Sequence, residues 1–138
     1  MEISDEILEA FDNRCYPEKS LVWVATLSGE TPHLVPVCFV KNLGQGQLLI
    51  AYVFISKTAS NVKKGSRMAL GTSFRHDGYD GYLLKGSGEL IMEGKLFEDF
   101  KKEITDRTSG KRVPRGAILF KAEEAYSLKP FRGKKKIG

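Results

Sequence analysis

Leu21-Val22-Trp23-Val24-Ala25-Thr26-Leu27 is followed, after Ser28-Gly29-Glu30-Thr31-Pro32, by Leu34-Val35-Pro36-Val37-Cys38-Phe39-Val40. β-Branched and aromatic residues dominate both runs, and a Ser/Gly/Pro-containing turn separates them, which predicts two consecutive strands. The first run is apolar on both faces. It predicts a strand buried on two sides, as in a barrel wall that also meets something outside. Pro36 cannot donate to a ladder, so the second strand has an edge or a bulge at its middle.

On either side of this pair the pattern continues. Leu43-Gly44-Gln45-Gly46 turns the chain into a third strand, Gln47 to Phe54. The segment from Ser56 to Gly65 predicts a short helix, capped by Ser56 or Thr58 and closed by Gly65. Strands resume over Arg67 to Phe74 and, after an Asp77-Gly78 turn, over Gly81 to Glu93, where Gly86 and Gly88 mark a kink. Upstream, Ser4 is an N-cap and Ile3 can staple to Leu8, so a helix lies within residues 1–15 and stops by Tyr16-Pro17. Downstream, Leu96, Phe97, Phe100 and Ile104 share one face of a helix from Lys95 to about Arg107. Thr108 to Arg112 is loop, and Ala117 to Phe120 and Ala125 to Leu128 are the last strands. Six or seven short strands with two or three short helices predict a mainly β, antiparallel barrel with helical decorations.

A chain of 138 residues, 41% apolar and 28% charged, is the size and composition of one soluble domain, here residues 1–138. Its two cysteines, Cys15 and Cys38, form no CxxC pair and have no histidine cluster beside them, so no metal site is expected. Cys38 reads as a buried small hydrophobe. The acidic N-terminus lacks the apolar core of a signal peptide, and no apolar run is long enough to span a bilayer. No membrane association and a cytoplasmic location are the expectations. The net charge of +5 favours phosphate-bearing partners: nucleic acid, a membrane surface or a small phosphorylated cofactor. Part of it sits in Arg132-Gly133-Lys134-Lys135-Lys136, within a 129–138 segment read as a solvated tail. Nucleic acid is disfavoured. Trp23, Phe39, Tyr52 and Phe54 lie in apolar runs instead of alternating with basic residues on an exposed strand face.

The usual catalytic constellations are missing: there is no GxSxG, HExxH or Walker loop. His33 and His76 sit beside predicted turns and read as exposed turn residues, and no catalytic acid or base is assigned. Any difficult chemistry falls to a bound cofactor. Ser56-Lys57-Thr58-Ala59-Ser60-Asn61 offers a place for one. A phosphomonoester needs a cation, hydroxyl donors and free amides converging on one point. Lys57 supplies the charge, Ser56 and Thr58 supply hydroxyls, and the first helical turn supplies amides. Asn61, three residues past Thr58, can return to the same side. The same six residues also read as a capped surface helix with a solvated lysine.

Taken in order, four pieces resemble the FMN-binding split-barrel superfamily related to pyridoxamine 5′-phosphate oxidase, its small single-domain members above all. They are Trp23 to Leu27 with Pro32 to Val37, Lys57-Thr58-Ala59-Ser60-Asn61, Met68-Ala69-Leu70-Gly71-Thr72, and Gly81 to Gly88. They cover roughly residues 20 to 93. The resemblance implies a six-stranded antiparallel split β-barrel of Greek-key type, working as a homodimer with FMN near each end of the subunit interface. It implies that Lys57, Thr58 and Asn61 hold the phosphate with Ser56 nearby. Val35, Pro36 and Val37 would then lie along the isoalloxazine, and Ala51, Tyr52 and Val53 would line the ring and ribityl chain. Thr72 would approach the phosphate end. The oxidase's C-terminal arginine and histidine motifs are not recognisable here, which argues against pyridoxamine phosphate oxidation. The reading that follows is an FMN-dependent oxidoreductase or electron carrier, exchanging electrons with a small molecule or a redox protein. The alternatives are a non-catalytic flavin-binding or sensing module and an F420-binding split-barrel reductase; some split barrels bind haem.

Overall fold

A computed structural model describes residues 3–14, 19–37, 39–75, 79–129 and 135–137. Cys15, Tyr16-Pro17, Cys38, His76, Asp77-Gly78 and Arg132-Gly133-Lys134 lie outside the described residues.

The chain order is α1 (Asp5–Phe11), β1 (Asn13–Arg14), β2 (Val22–Ser28), β3 (Thr31–Val37), β4 (Phe39–Gly44), β5 (Gln47–Tyr52), α2 (Ser56–Lys63), β6 (Arg67–Arg75), β7 (Tyr79–Ile91), α3 (Lys95–Arg107), β8 (Gly116–Ser127) and β9 (Lys135–Lys136). All pairings are antiparallel, in the order β1-β4-β5-β8-β7-β6-β2-β3, with β9 on β8. β3 stands at one end of this order, and β4, its neighbour in sequence, pairs with β5 near the other end. The chain therefore crosses from one end of the sheet to the other between Val37 and Phe39, and that crossing closes the barrel. Counted as one bent strand, β3–β4 gives the six expected; counted apart, there are seven long strands. Pro36 faces no conflict, because β3 is hydrogen-bonded along one side only, to β2.

Strand alternation fills the interior. The register aligns Val35, Val24, Leu70, Leu84 and Ala125 in one row across five strands. Ile7, Leu8 and Phe11 of α1 join this core together with Leu48, Ile50, Ile118 and Phe120. Ser4 caps α1, its hydroxyl accepting the Ile7 amide at 3.4 Å. On the outside, α3 lays Phe97, Phe100 and Ile104 over Phe39, Leu49, Ala51 and Ala117. β5 is thereby buried on both faces, which is why Leu48 to Tyr52 is apolar without a break. Leu96, expected on the buried face of α3, is exposed one position off the stripe.

Two expectations change. Ala117–Phe120 and Ala125–Ser127 belong to a single strand, with Leu128 just past its end. Their charged junction, Lys121 to Glu124, contains a bulge where the register against β7 shifts between Lys85 and Gly86. At Gly86 the two backbones meet so closely that a Cβ would collide with the Lys121 carbonyl oxygen. β2, expected to be buried on two sides, is buried on one. Val22, Val24 and Thr26 point inward, while Trp23 is 44% and Leu27 45% exposed. Their cross-strand partners Pro36 and Pro32, and Leu34 opposite Ala25, are exposed as well. The β2–β3 wall therefore carries an uncovered apolar face.

Lys135 and Lys136 pair with Ser127 and Tyr126, and the Ile137 amide bonds the Ala125 carbonyl at 2.7 Å. Lys135 and Lys136, the described part of the basic segment, thus add a short strand to the edge of β8. His33 is a half-buried member of β3 opposite Thr26, not an exposed turn residue.

Candidate functional site

The crossing from β3 to β4 opens a slot at the head of α2. Pro36 and Val37 reach it from the end of β3, Phe39 from the start of β4, and Ala51 from β5. Val53, Phe54 and Ile55, which link β5 to α2, form a second side, and Arg112 from the α3–β8 connection closes a third. The cavity volume is about 150 Å³. Its walls are apolar apart from the Arg112 guanidinium, which lies 5.3 Å from the centre of the Phe54 ring.

Ile55 is both a wall of this slot and the N-cap of α2, with no side-chain cap. This differs from the expected Ser56 or Thr58 cap and moves both hydroxyls into the first turn. The first intrahelical bond is Ala59 N–H to Ile55 O at 2.9 Å, so the amides of Ser56, Lys57 and Thr58 precede the ladder. The first turn holds no carboxylate. Ser56 and Lys57 are exposed, whereas Thr58 is fully buried and its hydroxyl has no hydrogen-bond partner. An orphaned buried hydroxyl is rare and costly, and here it lies among free amides at the positive end of a helix. Gly65, at φ +92°, closes α2 as its sequence predicts, its amide bonding Val62 O at 2.9 Å.

Of the predicted site residues, Pro36, Val37, Ala51 and Val53 line the slot, and Ser56, Lys57 and Thr58 follow directly on its wall. Strand alternation places others elsewhere. Tyr52, between Ala51 and Val53, turns to the opposite face, under the Arg115 guanidinium at 5.3 Å. Val35 packs toward the barrel core. Asn61 is buried and its amide donates to the Thr26 hydroxyl at 3.0 Å, tying α2 to β2. Thr72 is buried within β6, donating to the Leu21 carbonyl at 3.3 Å. Phe39, Phe54, Ile55 and Arg112 were missed. Phe54 and Arg112 lie in irregular segments where periodicity carries no signal; a cation at the end of a Gly-containing turn was the only hint.

A second cavity, about 490 Å³, adjoins the slot through the shared Phe39 and Arg112, and is otherwise lined by Arg107, Thr108, Ser109 and Lys111. Its loop is well held: Gly110 N–H bonds Thr105 O at 2.8 Å and Arg112 N–H bonds the Thr108 hydroxyl at 3.0 Å. Elsewhere, Arg67 holds the Glu123 carboxyl below its usual range through two hydrogen bonds. Burial, aided by Glu6 and Asp80, pushes the Tyr82 phenol up. No cluster of metal-binding side chains occurs among the described residues, and none of their helices is long and apolar enough to cross a membrane.

No protein-family model matches the chain. An uncharacterised protein of Methanocaldococcus jannaschii is 28% identical over 132 residues, 94% of this chain and 83% of that protein. Among solved structures, HupZ of Group A Streptococcus superposes with a TM-score of 0.76 at 19% identity, covering 99% of both chains. An FMN-binding protein of Syntrophomonas wolfei gives 0.73 at 16% identity, covering 90% of this chain and 87% of that one. A Clostridium acetobutylicum protein of the pyridoxinephosphate oxidase family gives 0.67 at 17% identity, covering 98% and 94%. The chain has the split-barrel fold that these proteins share.

Proposed function

We propose that this protein binds FMN as a homodimer and serves as an FMN-dependent oxidoreductase or electron carrier. The carrying observation is the apolar slot that ends at the uncapped first turn of α2, where the buried Thr58 hydroxyl lacks a partner. Lys57, Ser56, Thr58 and the three free amides suit a phosphomonoester, and the slot walls suit the edge of a flat apolar ring. When bound, the flavin supplies hydride and electron transfer. Arg112 brings positive charge to the slot, where it favours a ring that gains negative charge on reduction. Among the described residues no His, Asp or Glu lines the slot, consistent with a site that binds and tunes without its own acid or base.

The β2–β3 wall also argues for the dimer. The uncovered face of Trp23, Leu27, Pro32, Leu34 and Pro36 is the kind of surface a second copy covers. Structural neighbours support the flavin reading, since one binds FMN and another, from Mesorhizobium loti, binds FAD.

The test is a visible absorption spectrum of the purified protein with mass spectrometry of what denaturation releases. Bands near roughly 370 and 450 nm with FMN released are expected of a flavoprotein. A colourless protein that takes up no added FMN overturns the proposal. A single band near about 420 nm would indicate F420 or haem instead, which the released mass tells apart.

A further inference from the structure

We propose that the mouth of the slot docks an acidic electron-transfer protein, with Phe54 at the centre of the contact. The inference rests on the flavin reading, because it makes the slot mouth the place where electrons enter or leave. Phe54 is 77% exposed, more than any other large apolar side chain among the described residues. It stands at the rim of the cavity under the Arg112 guanidinium. Aromatic residues and arginine are both enriched at protein–protein contact centres.

Three exposed cations flank it: Arg115 covers Tyr52, and Lys111 and Arg112 line the adjoining cavity. Among the described residues no Asp or Glu lines either cavity. Three carboxylates of α3 are paired with lysines: Asp99 with Lys95 and Asp106 with Lys102, both at 2.8 Å, and Glu103 with Lys41 at 3.2 Å. Exposed cations act through solvent as a long-range field that orients and accelerates a charged partner. The +5 net charge of the chain adds to that field.

The probe is an oxidised acidic [2Fe–2S] ferredoxin, titrated into the protein as purified while amide NMR spectra and calorimetry are recorded. Saturable binding is expected at low salt, with shifts at Phe54 and at Thr108 to Arg112. Affinity should fall about tenfold or more between roughly 20 and 300 mM salt. Lys111→Glu, outside the slot, should weaken ferredoxin about tenfold at low salt and leave flavin content unchanged. Lack of binding, binding indifferent to salt and to Lys111→Glu, or shifts confined to the β2–β3 face would each overturn the proposal. So would inorganic pyrophosphate binding at Thr108 to Arg112 in place of ferredoxin, which makes the loop a small-anion pocket. Flavin content, read from the spectrum of the same sample, separates failure of the docking surface from failure of the flavin reading.

Discussion

Thr58 holds the sharpest contrast between what a residue type suggests and what its position does. Its hydroxyl is buried and unpartnered, at a cost of about 1–3 kcal/mol unless a ligand supplies the missing bond. Thr58→Val keeps the shape and removes the orphan. Without flavin the variant should be more stable by about 1 kcal/mol, while its affinity for FMN should drop. Thermal melts with and without FMN check this, and a change of the same sign in both would assign Thr58 a purely structural part. That Lys57 is an exposed cation in the first turn of α2 was legible, since it needs no tertiary information. The tie made by Asn61 was not: its partner Thr26 is 35 positions away, and only folding brings the two together. Within Ala51-Tyr52-Val53, alternation turns Tyr52 to the face opposite Ala51, so Ala51 and Val53 line the slot without it.

Elements with strong internal pattern were readable, and α3 spans the predicted Lys95–Arg107. β8 was not, because its charged middle resembles a loop until the bulge opposite Gly86 is seen to turn Lys121 and Glu123 to solvent. Gly86 was flagged as a kink, and its cause is the backbone of β8 pressing on it. Gly86→Ala should therefore destabilise the barrel by about 1–3 kcal/mol, or more where the strands cannot separate. Chemical denaturation measures this, and an unchanged midpoint would mean that the β7–β8 contact yields freely. Ile55 shows the limit of capping rules. Ser56 and Thr58 are favourable cap types, but the strand–helix junction places an apolar residue at that position and keeps both hydroxyls for the first turn.

At the scale of the molecule, closure follows from the crossing between Val37 and Phe39, just past the Pro36 that the sequence marks as an edge, where the chain leaves β2 and proceeds to β5. The same crossing forms the slot, so fold and site share an origin. The two-faced hydrophobicity of β2 pointed beyond a single chain: its outer face is apolar yet uncovered. Sedimentation at micromolar concentration should give a species twice the 15.4 kDa chain mass. Leu34→Asp, which places a charge where 61% of the side chain is exposed, should shift it toward monomer and weaken FMN while keeping the fold. A wild-type monomer would contradict the shared site.

Equilibrium binding of FMN against riboflavin, followed by quenching of flavin fluorescence, isolates the phosphate seat, since the two ligands differ only in the group that α2 is proposed to hold. FMN should bind more tightly by about 1.5–3 kcal/mol, roughly 10- to 150-fold, and Lys57→Ala should remove most of that difference. Equal affinity for FMN and riboflavin, unmoved by Lys57→Ala, would mean that the head of α2 is not where the phosphate rests.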